Sequence, residues 1–120
     1  MFAGDKRNRA RALDATSGRL LWSINTDATV ARSGGDVQAI RFNRHDGNVY
    51  VGHHDSVNSV NASKLHAVDA VTGVVDTDFV PLFDRFWGPF AIDVAPGRVV
   101  VGGGSFTTVS GVRAMNVAFF

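Results

Sequence analysis

GRVVVGGGSFTTVSGV, residues 97–112, places three consecutive glycines directly after an apolar run. A P-loop needs a Lys after its last Gly, and here Gly104 is followed by Ser105. The dinucleotide-binding fingerprint opens a helix and needs a third Gly where this chain has Thr107. The residues that follow are instead β-branched and aromatic, which is typical of strands and turns. The stretch therefore predicts the end of a strand, where the backbone bends or bulges.

Length and composition predict one small globular domain. The chain has 120 residues, of which 45% are hydrophobic and 19% are charged. Its net charge of +1 argues against nucleic acid, and without Cys it has neither disulfides nor thiolate metal sites. No apolar run is long enough to span a bilayer. The opening MFAGDKRNRA lacks the apolar core of a signal peptide, so we expect any export signal to lie upstream.

The chain contains an internal repeat. ARALDATSGRLLW, residues 10–22, aligns with LHAVDAVTGVVDT, residues 65–77, at an offset of 55 residues. The matched pairs are Ala12 with Ala67, Asp14 with Asp69, Ala15 with Ala70, and Gly18 with Gly73. Each copy carries a D-A-x-x-G turn, in which the Asp side chain can bond to a nearby backbone N–H and the Gly can adopt a positive φ.

A second pair of segments extends the repeat. Residues 34–57 align with residues 87–109, and three matched pairs share an offset of 50: Gly47 with Gly97, Val49 with Val99, and Gly52 with Gly102. The end of the chain fits the same frame, because Ala118-Phe119 resembles Ala12-Leu13. The three consecutive glycines thus occupy the position of GHH in the first copy, and a phosphate-binding loop would not recur in that form.

Each unit is predicted to form four short strands. The first is ALDA or AVDA, the second begins at RLLWSI or VVDTDF, the third is VQAIRF or PFAIDV, and the fourth is NVYVG or RVVVG. Residues in PFAIDV alternate with the period of two that is typical of a strand. NVYVG and RVVVG are apolar on both faces, as expected for a strand between two layers.

Four-stranded antiparallel units that repeat every 40–50 residues or so are typical of a β-propeller. We therefore predict an all-β fold, a β-propeller fragment of about two four-stranded blades that starts and ends mid-blade. Residues 1–120 form one partial domain, with repeat units at about 10–64 and 65–114 and partial blade strands at 1–9 and 115–120. A closed propeller has about four to eight blades, so we expect the remaining blades of a parent propeller, or copies of this chain, to complete it.

Two kinds of propeller repeat resemble this sequence. ALDATSGRLLW carries A-x-D-x-x-x-G-x-x-x-W through Ala12, Asp14, Gly18 and Trp22 and resembles the tryptophan-docking repeat of pyrroloquinoline-quinone (PQQ) propellers, although the second copy has Thr77 in place of the Trp. VVVGGGSFTTVSGV and KRNRARALDATSG resemble secreted actinobacterial-type propeller repeats. The resemblance implies an extracellular or cell-envelope parent protein. In the quinone family it also implies PQQ and Ca²⁺ bound centrally in a longer propeller, and no residue here can be assigned to that site.

The most metal-like cluster is His53, His54 and Asp55, with His45 and Asp46 nearby in sequence. Adjacent residues on a strand point to opposite faces, so His53 and His54 would share one ion only if a bulge redirected them. Zinc would also need a third protein ligand. We therefore predict a solvated loop at a blade rim and no metal site.

Three repeat residues have both a functional and a structural interpretation. Trp22 could stack on a sugar or a quinone, but the repeat match favours docking between adjacent blades. Asp14 and Asp69 could be catalytic carboxylates, but they occupy equivalent positions on different units, whereas a general acid–base pair must lie close together. Turn capping is the favoured role of both, and we predict neither catalytic nor cofactor-binding residues.

Two further clusters have competing interpretations. Lys6, Arg7, Arg9 and Arg11 could bind phosphate, but the family-like Arg-Asn-Arg junction explains them without a ligand. DRFWGPF, residues 84–90, is the most aromatic segment. It could contact carbohydrate if exposed, but packing of the loop over a blade is favoured.

The leading hypothesis is a non-catalytic scaffold or binding segment of a larger secreted bacterial protein, with carbohydrate or protein as its candidate ligand. Two alternatives stay open. The motif around Trp22 suggests a fragment of a PQQ-dependent dehydrogenase. The need to cover exposed blade faces suggests a self-assembling, lectin-like propeller.

Overall fold

The computed structural model describes residues 1–25, 35–54 and 62–120, and in these ranges it contains strands and no helix. The all-β prediction is therefore confirmed, and no described segment is a helix that could cross a membrane. The strands are β1 (Phe2–Asp5), β2 (Arg9–Leu13), β3 (Leu20–Asn25), β4 (Val37–Asn43), β5 (Asn48–His53), β6 (Ala62–Ser63), β7 (Leu65–Asp69), β8 (Leu82–Phe83), β9 (Ala91–Ala95), β10 (Arg98–Gly102), β11 (Thr108–Val109), β12 (Val112–Arg113) and β13 (Val117–Phe119).

The described strands form three three-stranded sheets and one four-stranded sheet of two-residue strands, which we call the small sheet. All four are antiparallel. The first sheet is β1-β2-β3, the second is β4-β5-β7, and the third has the order β13-β10-β9. The small sheet has the order β12-β11-β8-β6 and takes its strands from the connections between the others. Small antiparallel sheets that follow one another along the chain are the arrangement of a propeller-like fragment.

The second sheet lies between the first and the third. One core joins the first two sheets and contains Ala10, Ala12, Trp22, Val49, Val51 and Val68. The other core joins the second sheet to the third and to the small sheet, and it contains Tyr50, Leu65, Ala67, Phe83, Val99, Val101, Phe106, Val109 and Ala118. Alternate residues of β5 enter the two cores, so the prediction that NVYVG is buried on both faces is confirmed.

RVVVG is buried on one face only, which differs from the prediction. Val99 and Val101 of β10 are buried in the core shared with the second sheet. Val100, which points the other way, is partly exposed. The physical reason is that no described sheet packs on the outer face of the third sheet.

The sheets are out of phase with the sequence repeat. ALDA and RLLWSI contribute β2 and β3 to the first sheet, where β1 precedes them. VQAIRF and NVYVG, predicted in the same unit, contribute β4 and β5 to the second sheet, which β7 completes. A sequence repeat has no intrinsic starting point. The hydrogen-bonded ladders put the boundary between the first and second sheets between β3 and β4.

VVDTDF does not form the full strand that was predicted. Val75 makes only an isolated bridge to Val68. The Asp76 carboxylate accepts hydrogen bonds from the N–H groups of Asp78 and Phe79, at 2.9 and 3.3 Å. This local turn competes with the ladder and ends the pairing after one bridge.

Strand register also corrects one alignment at the end of the chain. The ladders pair equivalent glycines with the next strand as follows: Gly4 with Ala10, Gly52 with Leu65, and Gly102 with Val117. Two residues further along each strand, Ala12 and Ala67 therefore correspond to Phe119. The alignment of Ala118 with Ala12 was one residue out of register.

The three consecutive glycines end β10, as the sequence predicts. β10 ends at Gly102, and Gly103 and Gly104 have φ angles of 81° and 74°. The chain beyond them is tied to Asp84, whose carboxylate accepts the N–H of Thr107 at 2.8 Å. Desolvation acts to raise the pKa of Asp84, but hydrogen bonds from Thr107 and its neighbour lower it to about 2.

Candidate functional site

Carboxylate hydrogen bonds close the two D-A-x-x-G turns. Asp14 accepts the N–H groups of Thr16 and Ser17 and the Ser17 hydroxyl, at 2.7–3.0 Å. Asp69 accepts the three matching groups of its own turn at 2.7–3.0 Å. The hydrogen bond from the Ser17 N–H is the main cause that lowers the pKa of Asp14, and the bond from the Thr72 N–H does the same for Asp69. The two carboxylates thus cap separate turns, one on each of the first two sheets.

Trp22 docks the first sheet onto the second. Its side chain is buried, and the indole Nε1–H donates to the Ala70 carbonyl at 3.0 Å. Ala70 belongs to the D-A-x-x-G turn of the second sheet, which ends in Gly73. A Cβ on Gly73 would lie 2.8 Å from Cγ of Trp22, so this turn leaves room for the indole. The ring of Phe2 also contacts the indole, with centroids 5.9 Å apart.

Equivalent glycines mark where neighbouring sheets approach each other. A Cβ on Gly4 would overlap Val37 of the second sheet. A Cβ on Gly52 would lie 3.1 Å from the carbonyl oxygen of Pro89, which precedes the third sheet. A Cβ on Gly102 would meet only the carbonyl oxygen of Asn116, at 3.8 Å. The first two glycines are needed for close packing, whereas the third lies on a face that no described sheet covers.

His53 and His66 form a buried pair on the second sheet. Both side chains are fully buried, their Nε2 atoms lie 3.0 Å apart, and their ring centroids are separated by 4.8 Å. His53 Nδ1 lies 2.9 Å from the carbonyl oxygen of His54. This network assigns a proton to His53 Nδ1 and makes its Nε2 the acceptor for His66. Desolvation, and then repulsion from His53 when that ring is protonated, lower the pKa of His66 to about 3, so the His66 ring is neutral at neutral pH.

Sequence reasoning missed His66 because the pair depends on strand register. The ladder between β5 and β7 places His66 opposite Val51. His53 lies two residues from Val51 on the same face, so the two imidazoles are diagonal neighbours. No spacing rule within a single strand could have identified them.

The candidate metal cluster lies only partly within the described residues. His53 and His54 contact different neighbours, as expected for adjacent residues, and Asp55 lies outside the described residues. His45 and Asp46 are in the turn between β4 and β5. Within the described ranges, no group of three or more His, Asp or Glu could hold a metal ion.

His54 instead joins the aromatic segment that follows the second sheet. Its ring stacks on Phe86 with centroids 5.0 Å apart, and Trp87 packs edge-on against both rings. Trp87 and Phe90 expose 40% and 48% of their surface. The buried Lys64 ammonium anchors the same segment by donating to the backbone carbonyl of Arg85. The segment both packs over the second sheet and presents two rings to solvent.

The basic cluster is part of the β1–β2 hairpin. Lys6 and Arg7 lie in its turn, and Arg9 and Arg11 lie on β2. The Asp5 carboxylate pairs with the Arg11 guanidinium at 2.9 Å and accepts the N–H of Arg7 at 2.8 Å. Asp5 therefore offsets part of the positive charge and closes the turn.

An open apolar cavity of about 500 Å³ adjoins the edge of β13. Its apolar lining includes Phe79, Val80, Val112, Val117 and Phe119. Val117 and Phe119 expose 44% and 65% of their surface. The cavity walls come from two stretches that are distant in sequence, residues 78–81 and 109–120, so no local motif marks it.

The cavity and the aromatic segment are two described surfaces that expose apolar or aromatic side chains to a potential ligand. The ionisable groups considered above instead hold turns, a hairpin, a buried pair or the aromatic segment. Comparison with protein-family models, curated proteins and solved structures found no match to this chain. Its candidate sites are therefore judged on their geometry.

Proposed function

We propose that this chain is a non-catalytic β-propeller segment that acts as a scaffold or binding module within a larger secreted bacterial protein. The observation that carries the proposal is the bond between the Trp22 indole and the Ala70 carbonyl, because it docks one sheet onto the repeat turn of the next. The second and third sheets then pack in the same succession. Such stacking of similar small sheets is the construction of a propeller.

The non-catalytic part of the proposal is supported by the bonding of the candidate carboxylates. Asp14 and Asp69 each accept three hydrogen bonds from their own turn. They belong to turns on different sheets, whereas a general acid and a general base must both reach one substrate. The bacterial and secreted parts rest on the resemblance of VVVGGGSFTTVSGV and KRNRARALDATSG to secreted propeller repeats.

The outer face of the third sheet supports membership of a larger assembly. Leu65 and Ala67 are buried between the second and third sheets. The corresponding residues of the third sheet, Val117 and Phe119, are exposed. A further sheet packed there would bury them as its counterparts are buried.

The intact mass of the native gene product, measured separately in source cells and in culture medium, tests this proposal. We expect a product much heavier than 12.8 kDa in the medium. A product of 12.8 kDa would overturn the larger-protein proposal and favour self-assembly into a propeller. Substrate turnover by the purified chain that is lost on a single substitution would overturn the non-catalytic proposal.

A further inference from the structure

The β4–β5 hairpin closes with a longer turn than its counterpart in the third sheet. β4 and β9 hold equivalent places, because each pairs with the strand that carries one of the matched glycines, Gly52 on β5 and Gly102 on β10. β4 and β5 enclose four residues, 44–47, whereas β9 and β10 enclose two, 96–97. The shorter turn shows that two residues suffice to close this hairpin, so the fold does not require the longer one.

The additional residues are Arg44 and His45, because Gly47 aligns with Gly97 at the end of both turns. Both side chains are exposed. Within the described ranges, neither side chain forms a hydrogen bond or an ion pair, so neither helps to close the hairpin. Charged loop residues that the scaffold does not use are candidates for ligand binding.

Buried residues hold this turn in place. The Asp46 carboxylate accepts hydrogen bonds from the Asn43 amide and the Tyr50 hydroxyl, at 2.8 and 2.9 Å. It also accepts the N–H of Asn48 at 2.9 Å. The side-chain oxygen of Asn43 accepts the N–H of His45 at 3.0 Å, and both Asn43 and Tyr50 are buried. The backbone that carries the two additional side chains is therefore preorganised, which lowers the entropic cost of binding.

Arg44 and His45 line a pocket of about 380 Å³ together with Arg41, Phe42 and Val94, and we call it the seam pocket. One wall is β4 with its turn, and the other is Val94 of β9. The pocket thus lies where the second and third sheets pack against each other, and residues of this chain form both walls. Two guanidinium groups and one imidazole share this concave site with two apolar side chains.

The guanidinium groups give the seam pocket an excess of positive charge. Arg41 pairs with Asp93 at 3.2 Å, which offsets one of the two charges. Both members of this pair are exposed, so the pair is weak, and an incoming anion can replace the carboxylate at Arg41. Arg44 has no such counterion within the described ranges. The pocket can therefore place two guanidinium groups against one anion.

We propose that the seam pocket binds a phosphate group, with Arg41 and Arg44 as the charged donors and His45 as an additional donor. A guanidinium group donates parallel hydrogen bonds to phosphate oxygens. A phosphate monoester carries a charge of about −1.5 to −2 at neutral pH, which matches two guanidinium groups better than a carboxylate does. The inference goes beyond the proposed scaffold or binding function, because the propeller repeat does not require the longer turn.

Three small probes test the ligand class by isothermal titration calorimetry of the purified chain at constant ionic strength. We expect inorganic phosphate and phenyl phosphate to bind saturably at one site, and benzoate to bind more weakly than phenyl phosphate. Tighter binding of phenyl phosphate than of phosphate would assign the group to an organic molecule that contacts Phe42 and Val94, and the reverse order would assign the free ion. Absence of saturable binding by both phosphates, or equal binding of benzoate and phenyl phosphate, would overturn the inference.

A pair of arginine variants tests the location of the site. Arg44→Gln removes one donor from the seam pocket, and Arg19→Gln removes the same charge from an exposed position before β3 of the first sheet. We expect Arg44→Gln to bind the phosphate probes about tenfold more weakly and Arg19→Gln to bind them as the unchanged chain does. Circular dichroism checks that both variants are folded. Equal weakening by the two variants would mean that binding follows net charge alone and would refute a site at the turn.

A pair of aspartate variants tests the role of Arg41. Asp93→Asn removes the carboxylate that competes for Arg41, and Asp78→Asn removes the same charge from a residue that lines the other cavity. We expect Asp93→Asn to bind phosphate about two- to fivefold more tightly than Asp78→Asn. Equal affinities would contradict an anion held by Arg41.

The outcome for the seam pocket is separable from that for the proposed function. If neither phosphate probe binds a folded chain, the phosphate site is removed and the scaffold function is not. That function is judged by the mass of the native product.

Discussion

Replacing Gly73 with Ala should destabilise the fold more than the same replacement at Gly18, although both glycines end a D-A-x-x-G turn. Gly73 has a φ of 75° and Gly18 a φ of 71°, so an Ala at either position incurs a left-handed backbone cost of about 1 kcal/mol. Their surroundings differ. An added Cβ would lie 2.8 Å from Cγ of Trp22 at Gly73, and nothing lies within 4 Å of one at Gly18.

The indole cannot move aside without loss. Its Nε1–H bonds to the Ala70 carbonyl at 3.0 Å, and the ring is buried in the core between the first two sheets. Overpacking of this kind costs about 1–3 kcal/mol. We therefore expect Gly73→Ala to lower the free energy of unfolding by about 2–4 kcal/mol and Gly18→Ala by about 1 kcal/mol. Urea titrations followed by circular dichroism measure both values.

A double-mutant cycle with Trp22→Ala identifies the cause of the difference. If the added Cβ acts mainly through the indole, most of the excess cost of Gly73→Ala over Gly18→Ala should disappear once the indole is gone, and the remainder comes from the Cβ of residue 22, which lies 3.0 Å from the added Cβ. Equal destabilisation by the two glycine variants in the natural background would refute the docking of Trp22 on this turn. An excess at Gly73 that was undiminished without the indole would refute it as well.

Three other changes test separate contacts. Desolvation lowers the pKa of His66 from 6.5 to about 3, so between these pH values the unfolded state binds a proton that the folded state does not. The free energy of unfolding, measured by urea titration, should therefore fall by about 2 kcal/mol from pH 7 to pH 5, and His66→Leu should lack this contribution. Trp22→Phe should lower the free energy of unfolding by about 1–2 kcal/mol, because the indole hydrogen bond is lost. Trp87→Phe, at an exposed position, should lower it by less than about 0.5 kcal/mol, and thermal melts of the two variants measure the difference. Asp69→Ala should lower the melting temperature more than Asp93→Ala, because three hydrogen bonds close the turn at Asp69 and one exposed ion pair holds Asp93.

Elements that depend on neighbours in sequence could be predicted from the sequence. The alternation of Ile92 and Val94 with Ala91 and Asp93 predicts a strand, and β9 packs the first pair against the core and exposes the second. The turn at Asp14 is equally local, because its carboxylate bonds to groups two and three residues away. In such patterns the interacting groups lie within a few residues of each other in the sequence.

Features that depend on pairing between distant segments could not be predicted in this way. The His53–His66 pair requires the register of β5 against β7, and a shift of one residue would move His66 to the other face. The small sheet consists of two-residue strands, which are too short to show a periodic pattern. The division of the repeat between sheets depends on which strands share a ladder, and the spacing of the repeat leaves that choice open.

The position shared by Ala12, Ala67 and Phe119 separates two packed sheet faces from one exposed face. At the first two positions a small side chain is buried between packed sheets, and a larger one would hold those sheets apart. At the third position the side chain is a Phe that exposes 65% of its surface beside an apolar cavity. A large apolar ring so exposed gains little for the chain's own fold, since stabilisation by apolar groups follows the area they remove from water. Burial of that ring requires something packed on the outer face of the third sheet.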